Sequence, residues 1–376
     1  MSEFAAGPAG RIERVRALMA ERGYDAIVVR DEANLRWLTG VKGVFDYTFE
    51  FPHAAFITAD QCLFHTDSRY LNSFEENTSA GSPWVYDMDE GTIPGWVAGK
   101  IAANKCRVCA VEDDMQINFY QGIQRGLEDR SVACMLPLMH DDIRKMRAIK
   151  DAEEIELMRH AQSITDAAFQ HMLGYIKPGM TEKQVRNELE NFMFANGADS
   201  LAFGSIVASG PNTANPHAVP SDRVIEKGDF VLMDYGAGYC DYRSDMTRTV
   251  VMGEPTQEQL DLYALVRRTH EECVAAIHPG VEGNDIFKLS KKIIGDAGYG
   301  DYYNHGLGHG VGIDIHELPN FNRSKNTIEI GSVVTMEPGV YLPGVGGVRL
   351  EDYGVVTENG YEPFTKTPHD LHVIDC

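Results

Sequence analysis

Asp234, Asp245, Glu337 and Glu351 are four acids placed where metal chemistry needs them. Asp234 ends the apolar run FVLM, and Asp245 follows eleven residues later beside MTRTVV, a spacing that a strand-turn-strand hairpin folds back on itself. Glu337 likewise follows VVTM and Glu351 follows GGVRL, so each pair offers one acid at a strand end and a second after a return segment. Four converging carboxylates repel, and burying an unpaired one is costly. Divalent cations remove that cost. His309, inside HGLGHGVGIDIHELP, is the nitrogen ligand expected beside them, with glycines at 306, 308, 310 and 312 letting the backbone pass close to a site. A set rich in oxygen and free of thiolate favours Mn²⁺, Co²⁺, Fe²⁺ or Zn²⁺. Two such ions balance four acids, acidify a bridging water and polarise a carbonyl, which is metal-assisted hydrolysis.

Three more histidines belong with this set. His217 lies in GPNTANPHAVP, a loop rich in Gly, Pro and Asn, and His305 and His316 flank His309. Neutral imidazoles there suit substrate binding and proton delivery to a leaving nitrogen. His160, His171, His270 and His372 sit in helical or terminal stretches without an acid cluster and are read as structural. Cys106 and Cys109 form one CxxC with no second pair or nearby histidine, so KCRVCAVE reads as a short strand and not as a zinc site.

The elements that must position these residues fall into two regions. Up to about residue 140, a helical pattern at 10–23, apolar runs at 26–29, 54–57 and 62–64, and a second helical pattern near 116–127 alternate as in an α/β domain. Beyond it, Asp151 with Glu154 three residues on forms a capping-box pattern that opens a long amphipathic helix. The back region repeats itself. Ile176-Lys-Pro-Gly recurs as Ile277-His-Pro-Gly, each before a further helical pattern (182–195 and 284–296), and IEKGDFVLMDYG (225–236) aligns with IEIGSVVTMEPG (328–339), pairing Asp234 with Glu337. Two such halves are expected to pack about a pseudo-twofold axis, their strands curving into one sheet with the helices outside and the site where they meet.

Composition sets the remaining bounds. A length of 376 residues, with 43% hydrophobic and 24% charged, describes a folded globular chain. Thirty-four basic against 56 acidic residues give a net charge of −22, which argues against nucleic acid and anionic membrane partners. Seven scattered cysteines and the absence of a leader-like or membrane-spanning run lead to an expectation of a reducing, cytoplasmic setting.

The order NPHAVP, MDYGAGYCDYRSDMTRT, HGLGHGVGIDIHELP and MEPGVYLPGVGGVRLED resembles the pita-bread metallopeptidases, the family of creatinase, aminopeptidase P and prolidase. The likeness spans about 150–365, and LRWLTGV and FHTDSRYLN in the front region are similar to phrases of prolidases and Xaa-Pro aminopeptidases. It implies an α+β protein: a small α/β creatinase-like domain over 1–140, then a pita-bread catalytic domain over 141–376. It implies two divalent ions, Mn²⁺ foremost. Asp234 and Asp245 would hold one ion, His309 and Glu337 the other, Glu351 would bridge, and Glu337 also counts as catalytic. His217 and His316 would contact the substrate and scissile carbonyl, His305 would line a proline pocket, Arg349 would orient the site or pair with a substrate carboxylate, and Tyr341 would lie nearby. A peptide substrate and a homodimer follow from the same likeness.

Two departures bear on the reading. Asp241 stands before Tyr242 where the family often has glycine, which touches only the shape of that turn, and the complete acid set argues against a creatinase reaction. An Xaa-Pro bond has no N–H, and its nitrogen must gain a proton before leaving, which suits a site with several histidines. The expected activity is therefore Xaa-Pro dipeptide hydrolysis, with Xaa-Pro aminopeptidase as the alternative. The aromatic stretch 44–51 is a candidate for closing the site beyond proline. A peptide-binding module without catalysis would be expected to have lost ligands, and a metal-dependent hydrolase or lyase of a small metabolite is the third reading.

Overall fold

The computed structural model describes residues 7–42, 52–88 and 91–376, so the aromatic stretch 44–51 lies outside the described residues. The chain divides into two compact units, Met1–Arg147 and Ala148–Cys376.

The first unit is built on a five-stranded sheet. Its strands are β1 (Ala26–Val29), β2 (Ala54–Thr58), β3 (Cys62–His65), β4 (Trp84–Asp87) and β5 (Cys109–Val111), in the order β4-β3-β2-β1-β5. β1 runs parallel to β5 and antiparallel to β2, and its four residues AIVV are all buried, as a central strand requires. The helices α1 (Gly7–Arg22), α2 (Glu32–Thr39), α3 (Leu71–Asn77), α4 (Ile93–Ala103), α5 (Ile117–Asp129) and α6 (Asp142–Arg147) complete it. Phe119, Ile123 and Leu127 on one face of α5 pack with Val97 and Ile101 of α4 against Val28 and Phe56. Cys109 is buried in β5 and Cys106 just before it, both as free thiols.

In the second unit α7 (Ala152–Tyr175) opens with the expected capping box, Asp151 Oδ1 accepting from Glu154 N and Glu154 Oε2 from Asp151 N. It is followed by α8 (Glu182–Ala195), β6 (Ser200–Leu201), β7 (Ile206–Ser209), β8 (Phe230–Tyr235), β9 (Ala237–Tyr239), β10 (Tyr242–Arg243) and β11 (Met246–Met252). Then come α9 (Gln257–Ala275), α10 (Gly283–Asp296), β12 (Gly308–Gly310), β13 (Glu317–Phe321), β14 (Val333–Met336), β15 (Gly339–Leu342), β16 (Gly346–Arg349), β17 (Asp352–Thr357), β18 (Gly360–Pro363) and β19 (Val373–Ile374).

The repeat in the sequence is a repeat in hydrogen bonding. Gly179 N donates to Ile225 O at 2.9 Å, and Gly280 N to Ile328 O at 2.7 Å. Isolated bridges join Thr181 to Val224 and Glu282 to Thr327. Gly179 and Gly280 have φ of 93° and 86°, a left-handed conformation that explains glycine after each Ile-x-Pro. The strands of the two halves are joined by a backbone hydrogen bond from Glu351 N, just before β17, to Thr247 O of β11 at 3.1 Å. One sheet has the order β19-β11-β8-β7 and another β13-β12-β14-β17-β18, with β10-β9-β6 and β15-β16 beside them. A separate apolar layer backs each half. α7 and α8 cover the first sheet through Met172, Val185 and Leu189 against Val231 and Val250, while Cys273, Ile286 and Phe287 of α9 and α10 meet Val334, Met336 and Val356 of the second.

Candidate metal centre

Each acid owes its position to a strand end. β8 and β11 pair antiparallel with Asp234 opposite Thr247, which brings Asp245, just before β11, back towards Asp234. The reversal between them is a two-residue turn: Tyr239 pairs with Tyr242, and Cys240 and Asp241 have φ of 47° and 72°. Two consecutive positive φ values mark the primed hairpin turn, where aspartate is among the tolerated residues; this is how Asp241 serves in place of glycine. In the second half, β14 pairs with β17 with Met336 opposite Asp352, so Glu337 and Glu351 flank that pair.

His309 lies in β12, whose glycines answer a packing need. A Cβ on Gly308 would stand 2.3 Å from Thr335 O and one on Gly310 2.2 Å from Leu318 O, so the close approach is to the neighbouring strands. His309 Nδ1 lies 3.0 Å from Gly310 O, the distance of a donated hydrogen bond. That leaves Nε2 with its lone pair, 3.6 Å from Asp245 Oδ2 and 3.5 Å from Glu337 Oε1. Ligand atoms of Asp245, His309 and Glu351 all lie within 4.8 Å of one another.

The electrostatics demand a cation. Burial first, and the neighbouring acids second, push Asp245 and Glu351 well above the usual carboxylate range. Burial also pushes Glu337 up to about 7 against the opposing pull of Arg349. Asp234 Oδ2 accepts from Arg349 Nη2 at 2.5 Å, whereas its buried Oδ1 has no hydrogen-bond partner. An idle carboxylate oxygen, a histidine nitrogen aimed at two acids and one arginine for four carboxylates together fit divalent metal ions.

Asp234, Asp245, His309, Glu337 and Glu351 line one cavity of about 430 Å³, together with His217, His305, His316 and Arg349. Tyr341 stands behind this lining, its hydroxyl 3.0 Å from His305 Nε2 and accepting from Arg349 Nη1 at 2.9 Å. Arg349 also donates to Thr247 Oγ1 and Pro216 O, so its bonds hold the site together. Burial holds His305 and His309 down to about 4, and lowers His316 as well.

Sequence reasoning missed several participants. Thr247 Oγ1 donates to Glu351 Oε2 at 2.6 Å while accepting from Arg349, and Thr249 Oγ1 donates to Arg349 O at 3.0 Å. Their signal was the two-residue alternation running on from Asp245. Phe203, Ile206, Asn320 and Asn322 also line the cavity. The segment carrying His316 is pinned by Arg243, which donates to Ile313 O at 2.7 Å, and by the buried Lys150–Glu317 pair at 3.0 Å. These contacts bridge distant parts of the chain and leave no local pattern.

The model of metallopeptidase family M24 matches residues 156–358, and that of the creatinase/prolidase N-terminal domain matches residues 11–149. The chain is 42% identical over 362 residues to an Xaa-Pro dipeptidase of Pyrococcus horikoshii, covering 96% of this chain and 98% of that protein. Among solved structures, an Xaa-Pro dipeptidase from Bacillus anthracis superposes with a TM-score of 0.89 at 35% identity, over 98% of this chain and 100% of that one. An X-Pro aminopeptidase from Thermotoga maritima superposes with a TM-score of 0.85 at 30% identity, over 97% and 100%. With the match covering the unit that holds all five ligand candidates, the chain belongs to metallopeptidase family M24 and carries the creatinase/prolidase N-terminal domain in front of it.

Proposed function

We propose that the protein hydrolyses the Xaa-Pro bond of dipeptides, with Asp234, Asp245, His309, Glu337 and Glu351 holding two divalent ions, Mn²⁺ foremost and Co²⁺, Zn²⁺ or Fe²⁺ as substitutes. The observation that carries the reading is the convergence of these five side chains on a cavity rimmed by three further histidines. When bound, such ions supply an acidified water and charge stabilisation for the attacked carbonyl.

The protein's own groups do the rest. His305 Nδ1 is 2.6 Å from Gly306 O and its Nε2 is 3.0 Å from Tyr341 Oη, so both nitrogens are occupied and its ring serves as a wall for a proline side chain. His217 and His316 make no protein hydrogen bond among the described residues, which leaves their nitrogens for the scissile carbonyl and for the proton that the leaving proline nitrogen needs. Glu337 stands at the same centre, where its carboxylate would take a proton from the attacking water. Arg349 orients Asp234 through a charge-assisted hydrogen bond to its Oδ2.

Full-length likeness to an Xaa-Pro dipeptidase at 42% identity supports the dipeptide substrate. The likeness to an X-Pro aminopeptidase favours a second reading, release of an N-terminal residue from longer peptides. Assays of Gly-Pro and Ala-Pro against Ala-Pro-Ala separate them: the proposal expects the dipeptides to be cleaved, and cleavage of the tripeptide alone overturns it. The family resemblance also supports a homodimer, for which light scattering expects twice the 41.8 kDa of one chain, and the seven scattered cysteines support a cytoplasmic setting. Among the described residues no helix is long and apolar enough to cross a membrane.

A further inference from the structure

His270, Asp352 and His369 form a second cluster that does not line the catalytic cavity. His270 Nε2 lies 3.5 Å from Asp352 Oδ2, and His369 Nε2 lies 2.5 Å from the same oxygen. One ligand atom of each lies within 4.8 Å of the other two.

A purely structural role leaves part of this unexplained. His270 is 1% exposed, yet neither of its ring nitrogens makes a hydrogen bond. An idle buried polar group is destabilising, so an imidazole kept there without a partner needs a reason. Asp352 is held in a fixed direction: its Oδ1 accepts from Arg248 Nη2 at 2.7 Å, which turns Oδ2 towards the two histidines. The Arg248 guanidinium is otherwise taken up by the carbonyls of Thr247, Glu351, Thr367 and Pro368, so it stays on the Oδ1 side.

We propose that His270 Nε2, Asp352 Oδ2 and His369 Nε2 form a further site for one divalent transition-metal ion of the zinc class, separate from the carboxylate-rich centre. Two imidazoles and one carboxylate, with the remaining position open to water, are a donor set that suits zinc better than the oxygen-rich centre does. His270 is deeply buried and neutral at physiological pH, so its lone pair is free to bind. The His369 side chain is 27% exposed, which gives an ion a route in and lets the ring withdraw from its short contact with Asp352. For Nε2 to bind an ion, the single hydrogen of the neutral His369 ring sits on Nδ1, the side from which Glu271 Oε1 lies 4.0 Å away. Because Asp352 follows Glu351 and Arg248 donates to Glu351 O at 2.6 Å, an ion here also braces the backbone of a catalytic ligand.

The test is a metal count on the full chain, independent of peptidase activity. Wild type, His369→Ala, His369→Gln and the exposed control His278→Ala are saturated with Zn²⁺, desalted and measured by plasma mass spectrometry, with circular dichroism confirming the fold. Wild type and the control are expected to carry one ion more than either His369 variant. That ion is expected to persist in Asp245→Ala, which isolates this site from any failure of the catalytic assignment. Equal counts in wild type and both His369 variants would overturn the proposal.

Discussion

At the scale of single residues, the centre is a problem in unpaired charge that a few hydroxyls and one guanidinium partly solve. Thr247 links Arg349 to Glu351 through one hydroxyl, so Thr247→Val keeps the volume and removes the link. We expect Mn²⁺ affinity to fall about 10–100-fold, the usual effect of losing such an outer contact, with little change in folding. A Mn²⁺ titration reads it, and an unchanged affinity would show the link to be idle. In the first unit, His53 is buried among Phe64, Tyr70 and Phe74, and that burial lowers it to about 4 from 6.5. The folded state therefore binds fewer protons than the unfolded chain between those values. Stability attributable to the neutral ring is present above pH 6.5 and is lost as pH falls towards 4. His53→Phe keeps a ring but cannot titrate. Urea unfolding at pH 7.5 and pH 4.5 should show it losing less stability on acidification than wild type, by up to roughly 3 kcal/mol.

At the scale of elements, the duplication makes a prediction that no single contact would. Gly179 and Gly280 occupy the same place in the two halves, both with positive φ and both with open space where a Cβ would stand. Alanine at either position meets no clash, so its cost is the backbone conformation alone, about 1 kcal/mol or somewhat more. Gly179→Ala and Gly280→Ala should therefore destabilise by similar amounts in denaturant unfolding, and a large asymmetry would mean that the halves are not mechanically alike. The elements themselves were largely legible. The capping box at Asp151, the helix 182–195 and the hairpin that returns Asp245 to Asp234 all rest on local signals: caps, periodicity and turn length. What was not legible depends on register between segments about a hundred residues apart. The symmetry of the two halves is readable from the repeat, whereas the strand orders follow from how β11 and β17 each choose their partners. Thr247 and the Lys150–Glu317 pair escaped notice because each acquires its role only from a distant partner. His270 reads as structural from its helix, since nothing in its sequence neighbourhood points to Asp352 or His369.

At the scale of the whole molecule, the net charge of −22 and the chemistry are connected. Four of the 56 acids line one cavity where burial raises three of them, and the family to which the chain belongs resolves such a cavity with divalent ions. Ions that bind only the folded chain also stabilise it, by about 2.7 kcal/mol for each site at a hundredfold excess over its Kd. The most direct test is to count tightly bound Mn²⁺ in wild type, Asp245→Ala and His309→Ala while measuring hydrolysis of Ala-Pro on the same samples. Two ions per wild-type chain are predicted, with each variant losing at least one of them and about a thousandfold or more in kcat/KM, roughly 4 kcal/mol of transition-state stabilisation. Variants that kept full metal and full activity would contradict the assignment of these residues to the centre.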